Sequence, residues 1–249
     1  MTVSGSFRDH FSARSAHYAR YRPHYPAELF EFLAGLTNKH SLAWDCATGS
    51  GQAAIALSAH FERVVATDAS EAQIEAAVAH RGVSYRVAAA EDSQLDAASV
   101  ELITVGQALH WFDIERFLVE AKRVLVNGGV LAAWCYERCQ VSNACDAVVE
   151  KLYTEIVGEF WPPQRRLIEA RYAGITMPGH PIESREFHMG AAWTAADMLG
   201  YLRTWSACAR YREAHGNDPV SRVETALRAA WGADRRPVRW PLTLLVSRL

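Results

Sequence analysis

Short apolar runs alternate with segments of helical periodicity between residues 42 and 134. Apolar runs of about four to eight residues are typical of buried strands, and apolar residues three or four positions apart are typical of helices. Regular alternation of the two predicts a parallel sheet with helices on both faces. The predicted strands are 42–45, 63–68, 83–88, 99–105 and 130–134, and the predicted helices are 53–60, 70–78 and 114–125.

This alternation stops after residue 134. Residues 137–185 have helical periodicity without a strand between the helices, so we interpret them as an insertion over the sheet. Further on, the pattern predicts a short strand, two helices and a last strand in which Pro241 indicates an edge or a bulge. The helices of the insertion are 141–157 and 163–172, and the later elements are 186–189, 194–204, 220–231 and 238–246.

Polar side chains stand where several of the predicted strands end. Asp45 and Asp68 end the first and second strands, Glu91 follows the third, and residues 107–110 follow the fourth. Ligands of parallel α/β sheets bind at the carboxyl ends of the strands. The sequence therefore predicts a ligand site at this edge of the sheet.

A glycine loop, Asp45-Cys46-Ala47-Thr48-Gly49-Ser50-Gly51, joins the first strand to the first helix of the sheet. Gly49 and Gly51 allow positive φ and close approach of a ligand to the backbone. The helix that follows directs its unpaired N–H groups at the same place. This arrangement predicts a nucleotide-type site.

Two kinds of nucleotide fit the loop. Residues 49–54 match G-x-G-x-x-A, and Asp68 lies 68 − 49 = 19 residues after Gly49, which suits a dinucleotide. Asp45, however, would repel a pyrophosphate 4 Å away by about 1–4 kcal/mol. The same carboxylate favours S-adenosylmethionine, which carries an ammonium and a sulfonium. A carboxylate that only braces the loop is the alternative for Asp45.

Composition narrows the class of partner. A net charge of −2 and a pI near 6.6 argue against nucleic acid or an anionic membrane. The chain has neither an apolar run long enough to span a bilayer nor the apolar core of a signal peptide at residues 1–10. Its five cysteines lack the spacing of a zinc site. We expect a cytoplasmic protein with free thiols and no metal.

The strand-end segments resemble a known family. Residues 45–51 resemble the first motif of class I S-adenosylmethionine-dependent methyltransferases in a D-x-A-x-G-x-G variant, with Ala47 where glycine is usual, which suits a slightly wider turn. Residues 68–74, 90–92 and 127–129 resemble its later motifs. The resemblance covers roughly residues 10–135. It implies that S-adenosylmethionine is the cofactor and S-adenosylhomocysteine the product, with the cofactor held by Asp45, Ala47, Gly49, Gly51, Asp68, Ala69, Ile74, Ala90, Glu91 and Gln107.

The resemblance also implies a fold. We expect an α/β, Rossmann-like, doubly wound and mostly parallel seven-stranded sheet with an antiparallel last strand and a helical insertion or lid. The whole chain, 1–249, would form one methyltransferase domain. Its parts would be an N-terminal lid with helices at 1–40, a cofactor-binding core at 41–136, the helical insertion at 137–185, and C-terminal strands and helices at 186–249.

Residues 11–26 and 107–112 resemble a subgroup of small-molecule methyltransferases related to the trans-aconitate enzymes. This implies in-line methyl transfer to a small acceptor, such as a carboxylate or another oxygen nucleophile. The segment after the fourth strand lacks the D/N-P-P-Y/F motif of nucleic-acid amino methyltransferases, so nucleic acid is not the expected acceptor. The substrate-side candidates are Tyr18, Tyr21, Arg22, Trp111 and Arg203.

His110 is the candidate catalytic base, because it follows the fourth strand where the methyl group would point. The alternative is a histidine that only braces its loop. Two other functions stay open at this point: a non-catalytic module that binds S-adenosylmethionine, and an NAD(P)-dependent oxidoreductase. The sequence makes no prediction of oligomeric state.

Overall fold

The computed structural model describes residue 21 and residues 23–249 of the chain. Alternating strands and helices run from α1 to β5, followed by a helical region and three further strands. The strands are β1 (Leu42–Cys46), β2 (Arg63–Asp68), β3 (Val83–Val87), β4 (Val100–Gly106), β5 (Leu125–Tyr136), β6 (His180–Pro181), β7 (Phe187–Trp193) and β8 (Arg236–Arg248). The α-helices are α1 (Ala27–Gly35), α2 (Gln52–Leu57), α3 (Glu71–Ala76), α4 (Ile114–Val124), α5 (Asn143–Lys151), α6 (Arg165–Glu169), α7 (Ala195–Arg203), α8 (Ser206–His215) and α9 (Ser221–Trp231).

One sheet of order β3-β2-β1-β4-β5-β8-β6 contains these strands, with β7 also paired to β8. The first five strands are parallel. β1 lies between β2 and β4, and Asp45 is in register with Ala66 on one side and Thr104 on the other. The predicted parallel sheet and its carboxyl edge are therefore confirmed.

β8 is the antiparallel strand of the prediction. One edge of β8 pairs with β5, and its other edge pairs first with β7 and then with β6. Phe187 pairs with Leu242 and His180 with Arg248, so β6 and β7 follow nearly the same line along β8. The sheet thus has eight strands, or seven when β6 and β7 are counted as one interrupted outer strand.

Helices cover both faces of the sheet, as a doubly wound fold requires. Along β5, Leu131, Ala133 and Cys135 pack on one face together with α4 and α6. Val130, Ala132 and Trp134 pack on the opposite face with α1 and α2. Parallel strands buried on both sides carry continuous apolar runs, which explains why the sequence lacks simple alternation there.

A third apolar cluster lies beyond the sheet proper. It joins α5, α7, α8 and α9 to the outer strands β7 and β8. The helix expected at 141–157 is α5 followed by a π-helical turn, Leu152–Ile156, and the one expected at 163–172 is limited to α6. α8 was not predicted, because several of its buried residues are small, including Ala207 and Cys208, and give only weak apolar periodicity.

Candidate functional site

The glycine loop connects β1 to α2 through three residues with positive φ. Ala47 and Gly49 have φ of +55° and Gly51, the N-terminal cap of α2, has φ of +86°. This left-handed conformation is free of strain for glycine but costs about 1–2 kcal/mol for other residues. Ala47 therefore takes up a backbone conformation that glycine adopts more readily, at some cost.

Asp45 lies beneath this loop and is only 1% exposed. Thr48 of the loop donates its hydroxyl to Oδ2 of Asp45 at 2.6 Å, and Thr104 of β4 donates to Oδ1 at 2.8 Å. Burial raises the pKa of the Asp45 carboxyl to about 6, against the opposing effect of these hydrogen bonds. Asp45 thus braces the loop, and when ionised it also puts a negative charge beneath it.

The two glycines of the loop have different neighbours. A Cβ on Gly51 would collide with the phenol ring of Tyr85 from β3, whose hydroxyl donates to the carbonyl of Val78 at 2.8 Å. A Cβ on Gly49 would meet, among the described residues, only the amide oxygen of Gln73 at 3.8 Å. Packing inside the protein therefore requires glycine at 51, whereas the surface of Gly49 is open to a ligand.

Asp68 links the glycine loop to the start of α3. Its Oδ2 accepts the N–H of Gly49 at 3.0 Å, and its Oδ1 accepts the N–H of Ser70 at 2.9 Å. Ser70 in turn caps α3 by accepting the N–H of Gln73. Each carboxylate oxygen can accept two hydrogen bonds, so holding the loop and accepting ribose hydroxyls are compatible roles.

The expected adenine side is formed by α3 and the segment after β3. Ile74 is half-buried and Ala90 is buried, whereas Ala69 is exposed. Glu91 accepts the N–H of Asp113 through Oε1 at 2.9 Å, which ties this segment to the start of α4. The hydrogen bond from Asp113 thus fixes the segment that carries Ala90 and Glu91.

A buried brace that the sequence did not reveal holds the same segment. Ser93 donates both its N–H and its hydroxyl to Oε1 of Glu120, at 2.9 and 2.5 Å. Arg123 donates to both oxygens of that carboxylate at 2.7 Å and to the carbonyl of Leu95 at 2.7 Å. The hydrogen bonds from Arg123 lower the pKa of Glu120 to about 2, so this carboxylate is ionised at neutral pH.

Gln107 lies at the end of β4 with φ of +57°. Its side-chain amide donates to the carbonyl of Tyr136 at 3.1 Å and accepts the N–H of Tyr136 at 2.8 Å. Its own N–H donates to the carbonyl of Trp134 at 2.8 Å. The side chain expected at the cofactor therefore joins the ends of β4 and β5.

His110 belongs to a short 3₁₀ turn, Leu109–Trp111, and is 6% exposed. Its Nδ1 is hydrogen-bonded to the hydroxyl of Tyr172 at 3.3 Å. Burial, and secondarily the charge of Arg165, lowers the pKa of His110 to about 3. The imidazole is therefore neutral over the physiological range and held by a residue 62 positions later in the chain.

The substrate-side candidates are only partly brought together. Trp111 is half-exposed, and its ring centroid lies 4.8 Å from that of His110. The ring of Tyr21 packs against Gly200 of α7, where a Cβ would collide with it. Tyr18 and Arg22 lie outside the described residues.

Arg203 is engaged elsewhere. Its Nε donates to Asp218 at 2.7 Å and its Nη2 donates to Glu224 at 3.1 Å. These ion pairs tie the end of α7 to α9 and to the loop before it. Because Arg203 is paired with both carboxylates, it stabilises the packing of the helices. The expectation that it positions a substrate gains no support.

The segment 137–185 supplies side chains that the sequence did not single out. Tyr172 contacts His110, and Arg165 of α6 lies over the rings of Trp161 and Tyr153 at 4.7 and 5.5 Å. α6 packs against the turn that carries His110. The aromatic and basic content of 153–172 was the available signal, but nothing in it shows which side chains face the sheet edge.

The carboxylates at the strand ends suit S-adenosylmethionine. Carboxylates stand at Asp45, Asp68 and Glu91, and the open face of Gly49 leaves room for a ligand beside Asp68. No Lys or Arg side chain is hydrogen-bonded to the glycine loop in the described part of the chain. An acid-rich cradle favours a ligand with ammonium and sulfonium charges over a pyrophosphate.

Known proteins resemble this chain over most of its length. A protein of Dictyostelium discoideum named as a methyltransferase is 34% identical over 251 residues, covering 97% of this chain and 95% of the relative. The family model described as a methyltransferase domain matches residues 44–133. The chain belongs to the class I S-adenosylmethionine-dependent methyltransferases.

Two further comparisons agree with this membership. A solved structure from Anaeromyxobacter dehalogenans, described as a type II methyltransferase, superposes on this methyltransferase with a TM-score of 0.85, 41% identity and coverage of 91% and 97% of the two chains. A protein of Saccharomyces cerevisiae named as an S-adenosylmethionine-dependent methyltransferase is 29% identical over 231 residues, covering 77% of this chain. The expected family, fold class and enzyme class are confirmed.

Two further properties of this methyltransferase concern membranes and metal ions. None of the helices in the described part of the chain is long and apolar enough to cross a membrane. Over residue 21 and residues 23–249, no three or more His, Cys, Asp or Glu side chains form a group that could hold a metal ion.

Proposed function

We propose that this methyltransferase methylates an oxygen nucleophile, a carboxylate, on a small-molecule acceptor that is already ionised when it binds. The observation that carries the proposal is the buried, hydrogen-bonded state of His110 beside Tyr172. Its position at the end of β4 made His110 the candidate base, and its surroundings are unfavourable for that role.

The residues that would hold the cofactor follow from the strand ends. Asp68 would accept the ribose hydroxyls, Ile74 and Ala90 would contact the two sides of the adenine, and the open face of Gly49 would lie against the rest of the ligand. Asp45 would act through its charge beneath the loop. When bound, S-adenosylmethionine supplies an electrophilic methyl group and a neutral thioether as leaving group.

The lowered pKa of His110 bears on the protonation state of the acceptor. A general base works best when its pKa is near the working pH, and the pKa of His110 is lowered to about 3. A phenol or an ammonium group titrates near about 10 and would need a stronger base, whereas a carboxylic acid titrates near about 4 and is ionised at neutral pH. This chemistry favours a carboxylate acceptor.

If the acceptor is already ionised, the main contribution of the protein is to align it with the methyl group of the cofactor. Proximity and orientation alone can contribute roughly 7–11 kcal/mol to lowering the barrier, so a bound carboxylate needs positioning rather than deprotonation. Trp111 and the aromatic side chains of 153–172 support a role in enclosing a small acceptor. We propose that His110 positions the turn and is not the base.

A matched panel of acceptors tests the proposal. Benzoate-, phenol- and benzylamine-type compounds on matched ring skeletons are incubated with the enzyme and S-adenosylmethionine, and release of S-adenosylhomocysteine is measured. We expect turnover with acids and none with phenols or amines. Turnover of phenols or amines without acids would overturn the carboxylate assignment, and calorimetry with S-adenosylmethionine verifies independently that the cofactor binds.

A further inference from the structure

We infer that Arg165 binds a carboxylate of the methyl acceptor and thereby selects anionic acceptors. The inference rests on the proposed function, because it concerns the acceptor side of the same site. It replaces the role that the sequence suggested for Arg203, whose guanidinium is paired with Asp218 and Glu224.

The charge of Arg165 has no carboxylate partner within the described residues. Neighbouring arginines of the same region do: Arg138 pairs with Glu150, and Arg171 pairs with Glu137. Arg165 donates from Nε to the hydroxyl of Tyr153 at 3.0 Å, and this hydroxyl donates to Glu169. Over the described chain, the two Nη groups have no hydrogen-bond acceptor, so one edge of the guanidinium remains for a ligand.

Arg165 is held in place by aromatic rings. Its guanidinium lies 4.7 Å from the ring centroid of Trp161 and 5.5 Å from that of Tyr153. Trp161 donates its indole N–H to the carbonyl of Tyr153 at 3.1 Å, and Trp205 packs against both rings at 5.5 and 5.8 Å. Stacking on such rings fixes the plane of the guanidinium and its donors.

The position of Arg165 is next to the turn after β4. α6 packs against Leu109–Trp111, and Ile168 of α6 is buried in the same cluster as Leu109. The charge of Arg165 acts on both His110, in the turn after β4, and Cys135, the last residue but one of β5. Arg165 therefore lies close to the carboxyl edge of the sheet, on the helix that packs against the turn of His110 and Trp111.

The chemistry of the group favours a carboxylate. A guanidinium offers two parallel N–H donors that match the two oxygens of a carboxylate. A phosphate dianion is generally held by more than one cation, whereas Arg138 and Arg171 are already paired with glutamates. The rings of Trp161 and Tyr153 add a flat apolar surface that suits a planar carbon skeleton.

A binding experiment with two probes of equal shape tests the inference. Benzoate and benzamide are titrated into the full-length protein saturated with S-adenosylhomocysteine, and their dissociation constants are measured by NMR. The variants are Arg165→Gln, Arg165→Lys and, as a matched control, Arg166→Gln. Arg166 is the next residue of α6, is exposed, and has no side-chain ion pair in the described chain.

We expect the wild type and Arg166→Gln to bind benzoate about tenfold more tightly than benzamide, and Arg165→Gln to bind the two alike. Arg165→Lys should retain part of the preference, since lysine keeps the charge but loses the paired donors. Equal binding of the two probes by the wild type, or equal losses in Arg165→Gln and Arg166→Gln, would overturn the inference. Stronger competition by inorganic phosphate than by benzoate would overturn the carboxylate assignment.

Two controls keep the outcomes separate. Thermal unfolding of Arg165→Gln shows whether the loss of stacking on Trp161 unfolds the variant, and Arg165→Lys keeps the test valid if it does. S-adenosylhomocysteine affinity is measured for each protein. Failure of the wild type to bind this nucleoside would contradict the proposed function, whereas normal nucleoside binding without benzoate preference contradicts only the role of Arg165.

Discussion

The hydroxyl of Thr104 donates to the carboxylate of Asp45 at 2.8 Å and joins β4 to β1 beneath the glycine loop. Asp45 forms no ion pair within the described residues, and its other oxygen accepts the hydroxyl of Thr48. A buried carboxylate without a cation depends on such hydrogen bonds. Thr104 therefore stabilises the carboxylate on which the shape of the loop depends.

Replacing Thr104 by valine removes this donor while keeping the shape of the side chain. We expect the free energy of unfolding at pH 7.5 to fall by about 1–3 kcal/mol, because the ionised carboxylate loses a buried partner. Thr104→Ser keeps the hydroxyl and is the matched control. Urea denaturation measures both variants, and equal losses in the two would show that packing, not the hydrogen bond, is responsible.

The titration of Asp45 predicts how cofactor affinity depends on pH. Its pKa is raised from 3.8 to about 6, so between these values the unfolded chain loses the proton before the folded one does. The contribution of Asp45 to the stability of the free protein is therefore greatest below about pH 4 and is lost as the pH rises to about 6. A cationic ligand above the loop favours the ionised form.

S-adenosylmethionine should accordingly bind more tightly as the pH rises through 6. We expect an increase of about tenfold in affinity between pH 5 and pH 7, with release of a proton on binding near pH 6. Calorimetry in two buffers of different ionisation enthalpy measures both effects. Asp45→Asn should bind without proton release, and an unchanged pH dependence in this variant would assign the effect to another group.

Asp68→Ala should weaken cofactor binding. The carboxylate is the expected acceptor for the ribose hydroxyls and also holds the N–H of Gly49 at 3.0 Å, so we expect a loss of about 1–3 kcal/mol in binding free energy. Calorimetry with S-adenosylhomocysteine and with an analogue lacking the ribose 2′-hydroxyl measures the effect. Wild type should discriminate between the two ligands and the variant should not. Glu62→Ala, which removes an exposed acid just before β2, should behave as wild type.

Much of the fold, and the placement of the cofactor-side candidates at the strand ends, could be predicted from the sequence because the signals are local. Asp45, Gly49 and Asp68 lie at strand ends and in a tight loop, where spacing along the chain determines position in space. Thr104 also had a signal, since a polar residue within the apolar run of β4 needs a partner. The helices α2 to α4 followed from periodicity for the same reason.

The acceptor side could not be predicted because it is assembled from distant segments. Tyr172 reaches His110 across 62 positions, and Arg165 is set beside the same turn by the packing of α6. Whether an arginine is ion-paired is decided by such packing: within the described residues Arg203 pairs with Asp218 and Glu224, whereas Arg165 donates to the hydroxyl of Tyr153. Periodicity carries no information on these contacts.

Experiments on His110 and its partner Tyr172 can show whether His110 is a structural residue or a catalytic base. If His110 were the base, His110→Ala would lower kcat by about 10²–10⁴-fold, with an inflection in the pH–rate profile of the wild type. Because its pKa is lowered to about 3, we expect instead a flat wild-type profile from pH 6 to 9 and a kcat within a few-fold in the variant.

The contact between His110 and Tyr172 should also contribute to stability, as a coupling free energy between the two side chains. His110→Ala and Tyr172→Phe should each lower the free energy of unfolding by about 1–3 kcal/mol, and the double variant should lose less than the sum. The depressed pKa of His110 adds stability above pH 6.5 that is lost as the pH falls toward 3, because the unfolded chain then binds the extra proton. Urea denaturation of all four proteins at pH 7.5 and pH 5 measures the coupling and its pH dependence. Additive losses would show that the 3.3 Å contact is energetically empty, and a large loss of kcat with unchanged stability would return His110 to the role of base.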